Sequence, residues 1–338
     1  MGGKQISDTA HRQRARGVTV VVAALACAAT TVAAQAPIGG ARPVLETPVA
    51  ITLPWSARAA ALGGSFVAGD DADVLFFNPG ALTQARGMSL GVSRTDEASL
   101  GASFAAVTTL GKWSVAAGLR ALRLEATRLQ AIPLLARAGD MPDPAFRAWR
   151  DAGISGSAVA SVGAARRVGP LRIGATLHAG NDAGPAATAG DALSMNVLAD
   201  VGVTMPLWYG SLGAVARSIG PDPTSDLVGG PPVDRQAPMR VEVGYGIPLS
   251  PQGTWYDLGG QFALGIDRDG RVASSGGVEF SLVPVEGVGL VARVGSRRGE
   301  GVGRLTWGTS LSIDRVAFDV AYEPDPAAAG WRLGIRVR

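Results

Sequence analysis

From Gly87 onward, apolar and polar residues alternate with a period of two, and the alternation restarts many times. "MSLGVS" puts Met88, Leu90 and Val92 on one face. "LSMNVLADVGVTM" sets Leu193, Met195, Val197, Ala199, Val201, Val203 and Met205 against Ser194, Asn196, Leu198, Asp200, Gly202 and Thr204. The closing "WRLGIRVR" sets Trp331, Leu333, Ile335 and Val337 against Arg332, Gly334, Arg336 and Arg338. A half-buried strand gives this pattern, and so does a membrane-barrel strand with its apolar face outward. About fourteen such segments are predicted, at 87–96, 98–109, 112–124, 153–167, 170–181, 192–205, 207–219, 238–249, 254–267, 271–283, 286–297, 301–313, 315–323 and 330–338.

The connections between these segments sort by parity. The odd ones are "TDEAS", 125–152, "DAGPAATAGD", 220–237, "DRDG", "SRRGEG" and "PDPAAA". The even ones are short: "LGKW", "VGP", "PLW", "SPQG", "PVEG" and "IDR". In an up-and-down barrel, odd and even connections lie at opposite ends, and outer-membrane barrels pair short periplasmic turns with longer outer loops. Trp113, Trp208, Tyr209, Trp255 and Tyr256 fall at even connections, where an aromatic girdle would sit on the periplasmic rim. Trp307 and Trp331 do not fit that rim. The expected fold is all-β: a transmembrane antiparallel barrel of about fourteen strands spanning 87–338.

The N-terminus changes the charge picture. Arg12, Arg14 and Arg16 precede the apolar, small-residue run "GVTVVVAALACAATTVAA", the layout of a secretory signal peptide over 1–34. Cys27 after "AALA" leaves a lipoprotein signal as the rival reading. Removing 1–34 takes away Lys4, Arg12, Arg14, Arg16 and Asp8, which leaves basic and acidic residues in equal number. The formal net charge of +3 therefore argues for no nucleic-acid partner. The only cysteine goes too, and with it any disulfide, thiol nucleophile or cysteine metal site. One histidine, His178, remains, expected to be an ordinary polar strand residue. "DRDG" at 267–270 reads as a hairpin turn rather than half a calcium loop, and "LGG" at 62–64 lacks the Gly-Lys-Ser/Thr of a phosphate loop. No catalytic set, metal site or cofactor is expected.

Residues 35–86 carry the most unusual stretch, "ARAAALGGSFVAGDDADVLFFNPGAL". It resembles the N-terminal signature of the PorV/PorQ family, itself similar to FadL-type outer-membrane transporters. The matching positions are Arg58 to Leu62, Gly63–Gly64, Asp70–Asp71–Ala72, and Asn78–Pro79 to Leu82. "NPGAL" exchanges the Gly and Ala of the family box, and the chain ends on Arg338 where such barrels often end on an aromatic. The closing strands from "GGVEFSLVP" onward are similar in style. The resemblance implies a location in the outer membrane and a hatch, folded from this segment, inside the barrel. Asp70, Asp71 and Asp73 would then meet lumen arginines while Phe76 and Phe77 stay shielded; a periplasmic cap is the alternative. It implies a non-enzymatic component of type IX-like secretion or surface attachment, with outer-membrane lipid and the C-terminal signal domains of exported proteins as partners. The alternative it implies is FadL-like passive transport of hydrophobic compounds.

Overall fold

The computed structural model describes residues 45–53, 55–95, 99–124, 155–183, 195–223, 235–249, 255–299, 302–324 and 330–338. The signal peptide expected over 1–34, the rival reading at Cys27 and most of the long odd connections lie outside the described residues. Fourteen strands form one closed antiparallel barrel. They are β1 (Gly87–Thr95), β2 (Ser99–Leu110), β3 (Trp113–Leu124), β4 (Gly156–Val168), β5 (Leu171–Ala183), β6 (Asn196–Leu207) and β7 (Gly210–Ile219). Then follow β8 (Arg240–Ile247), β9 (Tyr256–Asp267), β10 (Val272–Val285), β11 (Val288–Gly299), β12 (Val302–Ile313), β13 (Val316–Glu323) and β14 (Gly330–Val337). Consecutive strands pair, and β14 closes on β1 with Val337 opposite Met88.

Each predicted segment holds one strand, with ends shifted by a few residues. Two connections depart from the expected sorting. "SRRGEG" is mostly strand, because the ladder continues through Arg297↔Arg304 to Gly299↔Val302. The connection after β8 runs over 248–255, longer than "SPQG", because Pro248 has no N–H to extend the ladder.

The period-two pattern now has a direction. Met88, Leu90 and Val92 are exposed on the outer wall, while Ser89 and Ser93 are buried inside. Leu333 and Ile335 face out, while Arg332 and Arg336 face in. An apolar exterior around a polar interior inverts the plan of a soluble barrel, and closure leaves no strand edge unpaired.

The residues before β1 pack on inward-facing side chains. They form two short helices, α1 (Val49–Thr52) and α2 (Ala57–Ala61), then 3-10 turns at Ala72–Phe76 and Pro79–Thr83. Ser56 caps α2 by accepting from the Ala59 N–H. Gly63 and Gly64, at φ 71° and 85°, reverse the chain after it, a conformation that side chains with a Cβ resist. At the end carrying the odd connections, the α1 N–H groups of Val49 and Ala50 donate to Asp182 Oδ1 (3.0 Å) and Ser157 Oγ (2.9 Å). At the opposite end, Ser211 beside a tight even turn donates to Gln84 Oε1 at 3.4 Å. The segment thus runs the length of the lumen. Phe66, Leu75, Phe76, Phe77 and Leu82 form its core with the wall alanines Ala105, Ala116 and Ala165.

Candidate functional site in the lumen

On one side of the lumen the segment meets charge. Arg58, in the first turn of α2, is buried and grips Glu279 of β10 with two hydrogen bonds, Nη2 to Oε1 at 2.6 Å and Nε to Oε2 at 3.2 Å. It also pairs with Asp70, and with Asp71 Oδ2 at 3.2 Å. Arg293 of β11 bridges Glu279 and Asp319, both at 3.0 Å. Arg336 of β14 holds Asp319 of β13 through Nε (2.6 Å) and Nη2 (2.9 Å) and reaches Asp71 at 3.4 Å. Arg338 pairs with Asp70 at 3.2 Å. Asp73 accepts from the Ser89 hydroxyl and lies within electrostatic reach of Arg120. Buried ions persist only when paired in this way. Burial pushes Asp71 up and the neighbouring charge of Asp73 adds to it, so its carboxyl stands at about 6 despite Arg336 and Arg58. Burial opposes Asp70 as well, but Arg58 and then Arg338 outweigh it and hold that carboxyl below the usual range.

On the other side the contact is steric. The Asn78 amide donates to Val67 O (2.8 Å) and Val203 O (3.3 Å), and its Oδ1 accepts from the Gly80 N–H (3.0 Å). Pro79 follows it into the next 3-10 turn, and Leu82 is fully buried. The wall makes room with glycine: a Cβ on Gly202 would lie 1.9 Å from Asn78 Oδ1, and one on Gly174 would lie 2.3 Å from Pro79 O. Thr204 donates to Gly80 O at 3.1 Å and Thr176 to Leu75 O at 3.4 Å. The "NPG" box thus sits in wall notches, as Trp55 does at Gly101, where a Cβ would lie 1.6 Å from the indole ring.

Between these sides Phe76 and Phe77 are clasped by cations. The Arg120 guanidinium lies 3.8 Å from the Phe76 ring centre, and that of Arg217 lies 5.6 Å from the Phe77 ring centre. Such contacts strengthen where water is excluded. Arg217 also donates to Phe76 O at 2.8 Å.

Nearby, His178 faces the lumen as a buried polar strand residue. Its Nδ1 is 2.7 Å from Ser161 Oγ and its Nε2 is 3.1 Å from Asp200 Oδ2, with all three side chains buried. Asp200 in turn accepts from the Ser218 N–H at 2.6 Å, where β6–β7 pairing is irregular. The residue types are those of a nucleophilic triad. Yet the adjoining wall positions Gly118 and Gly163 lie against Leu75 and Phe76, which leaves no room for a substrate. Ser161 is bonded to His178 Nδ1, while His178 Nε2 lies close to Asp200 without an aligned hydrogen bond. No group of three His, Cys, Asp or Glu converges as a metal site among the described residues.

A small open cleft lies toward the odd-connection end, between 51–53, Gly63–Gly64 and the wall. Arg217, Arg240, Glu242, Ser274, Ser275 and Arg297 supply its polar lining. The expected girdle residues stand at the other end: Trp208 and Trp255 project from turns, Trp255 meets Tyr256 edge-to-face at 4.8 Å, and Arg166 lies over Trp113. Trp307, Tyr322 and Trp331 stack as a second aromatic group toward the odd-connection end, with centroids 4.5–6.0 Å apart. Sequence reasoning left both tryptophans unplaced because it looked for one rim.

No protein-family model matches the chain, and no curated protein does. Solved structures do. The barrel aligns with the CymD monoaromatic hydrocarbon channel at a TM-score of 0.52 and 13% identity, over 84% of this chain and 96% of that one. A TodX deletion mutant, also a monoaromatic hydrocarbon channel, aligns at 0.51 and 12% identity, over 84% and 97%. The Ralstonia pickettii toluene transporter TbuX aligns at 0.48 and 14%, over 82% and 96%. The first two carry the fold, a closed antiparallel barrel.

Proposed function

We propose that this chain is an outer-membrane channel of FadL-like type that passes small hydrophobic compounds without an energy source, with residues 45–86 as its hatch. The observation that supports it best is the shared fold with two monoaromatic hydrocarbon channels over most of both chains. The outward apolar wall suits lipid as its partner, and the segment lying along the lumen suits control of passage. No catalytic role is assigned to Ser161, His178 and Asp200, since Leu75 and Phe76 fill the space a substrate would need.

The full chain reconstituted in liposomes should admit a small aromatic hydrocarbon faster than protein-free liposomes do. Deleting 45–86 should raise the rate further. Equal uptake in all three preparations rejects the channel. The secretion or surface-attachment reading rests on the PorV/PorQ resemblance of residues 58–82 and the closing strands alone. Capture of an exported protein's C-terminal domain by the detergent-solubilised barrel, together with absent solute uptake, would favour it.

A further inference from the structure

One level of the outer wall breaks its apolar plan. Strand pairing sets Trp307, Tyr322, Trp331, Arg94, Leu100 and Arg123 side by side, on β12, β13, β14, β1, β2 and β3 in turn. All six face outward, by the same parity that turns Leu90, Phe104, Leu119, Phe318 and Leu333 out. The row stands at the odd-connection rim: Arg94 is one residue from the end of β1, and Arg123 one residue from the end of β3. Toward the middle of the wall the same strands expose only apolar large side chains, such as Leu90, Phe104 and Leu119. A cation on a lipid-facing wall costs least at the interface, the level at which aromatic residues also gather. No carboxylate stands in the row. Arg94 and Arg123 are exposed, and among the described residues neither side chain has an ion pair or a hydrogen bond. At the other rim, by contrast, the guanidinium of Arg166 rests over Trp113 at 5.7 Å from the ring centre.

Leu100 separates the two arginines by two strand spacings, about 10 Å. Their long side chains can therefore reach one headgroup. Guanidinium forks match phosphate oxygens. The indole of Trp331 and the phenol of Tyr322, 4.5 Å apart, offer flat faces beside them on which the C–H face of a sugar ring can lie. The apolar wall next to the row suits acyl chains. We propose that this row is a docking site for a membrane glycolipid with a phosphorylated sugar headgroup, its phosphate held by Arg94 and Arg123 and its sugar set against Trp331. A glycerophospholipid would use the arginines but leave the aromatic group without a partner. The site lies where β14 closes on β1, so its occupant would bridge the first and last strands. It rests on the reading of this chain as an outer-membrane barrel and stands whether or not hydrocarbons pass.

Native mass spectrometry of the full chain in detergent tests this with three probes: bisphosphorylated lipid A, the same lipid dephosphorylated, and phosphatidylglycerol. Bisphosphorylated lipid A should bind at lower concentration than either of the others. Arg94→Gln and Arg123→Gln should each weaken that binding roughly tenfold, the loss of a hydrogen bond between charged groups. Trp331→Leu should weaken lipid A binding and leave phosphatidylglycerol binding unchanged. Arg166→Gln, which removes an outward cation at the opposite rim, should bind as the parent does. Heat-modifiable gel mobility reports that each variant keeps its barrel. The proposal falls if phosphatidylglycerol binds as tightly as lipid A, if dephosphorylation changes nothing, or if Arg166→Gln weakens binding as much as Arg94→Gln. Recovery in the outer-membrane fraction and hydrocarbon uptake into liposomes are read separately, so a failed glycolipid site, a failed location and a failed channel give different results.

Discussion

Two sectors of the inner wall hold the same segment, one with ions laid over glycine notches and one with notches and hydrogen bonds alone. β10–β14 hold it with ions: Arg58 and Asp71 enter a network with Glu279, Arg293, Asp319 and Arg336. β5–β7 hold it with shape: Asn78 and Pro79 sit in notches at Gly174 and Gly202. The ionic sector has little strength to spare in pairs, because every charge depends on the others staying. The notched sector depends on missing methyl groups. Both are closed to addition, the first at Gly277, Gly295 and Gly308, and only the first is also sensitive to deletion of a charge.

The largest effect is expected on the ionic side. Arg58→Ala leaves Glu279, Asp70 and Asp71 without their shared cation, and breaking a buried pair from one side costs about 3–5 kcal/mol. Hydrogen exchange over 57–86 should show lost protection, with the barrel strands unaffected. Protection equal to that of exposed Arg268→Ala would place the anchor elsewhere. Next comes addition in a notch. Gly174→Val drives carbon into Pro79 O, and overpacking of this kind costs about 1–3 kcal/mol, here toward the upper end. Limited proteolysis should then cut the segment while the barrel still shows heat-modifiable mobility.

Asn78→Ala removes three hydrogen bonds and strands buried backbone groups, for a cost near the middle of about 1–3 kcal/mol. It also sharpens the comparison. The Cβ of Gly202→Ala meets Asn78 Oδ1 first, so Gly202→Ala should be better tolerated in the Asn78→Ala background than alone. Additive costs in the double variant would show that the notch is not shaped for that side chain.

The smallest effect is a pH dependence. Asp71 stands at about 6 against an ordinary 3.8, with burial and then Asp73 as the causes. A raised value favours the protonated folded form, so this contribution is fully present below 3.8 and is lost as pH rises through about 6. Asp70 is shifted the other way, and its contribution is lost only as pH falls below its ordinary range. Protection of the segment should therefore decline between pH 4 and pH 6, and Asp71→Asn should flatten that decline. A rise over the same window would contradict the assignment.

The barrel was legible because period-two alternation survives any error in register. The partners across it were legible only where a tight turn fixes the register. Val168 pairs with Leu171 around Gly169, and counting back from that turn brings Ser161 opposite His178. Asp200 lies beyond the long connection after β5, which sets no count, so the third member could not be read. Glu279 and Arg293 show a subtler failure. Counting from the Val285↔Val288 turn misses their pairing by one, because a bulge between Leu282 and Val285 shifts the ladder. The charges of 58–71 were visible as unusual, but their partners at 279, 319 and 336 depend on which part of the wall the segment touches. That is a property of the closed cylinder rather than of any local pattern.

The route of the segment bears on how the molecule comes together. Its C-terminal end is joined to β1 at Gly87, on the rim of tight turns, while α1 is fixed at the opposite rim to Asp182 and Ser157. A finished cylinder would have to be threaded from one rim to the other to reach this arrangement. A sheet still open between β14 and β1 needs no threading, since the segment can be laid along its concave face first. The topology thus favours an order in which the cylinder, for example at the Val337↔Met88 seam, closes after the segment is in place.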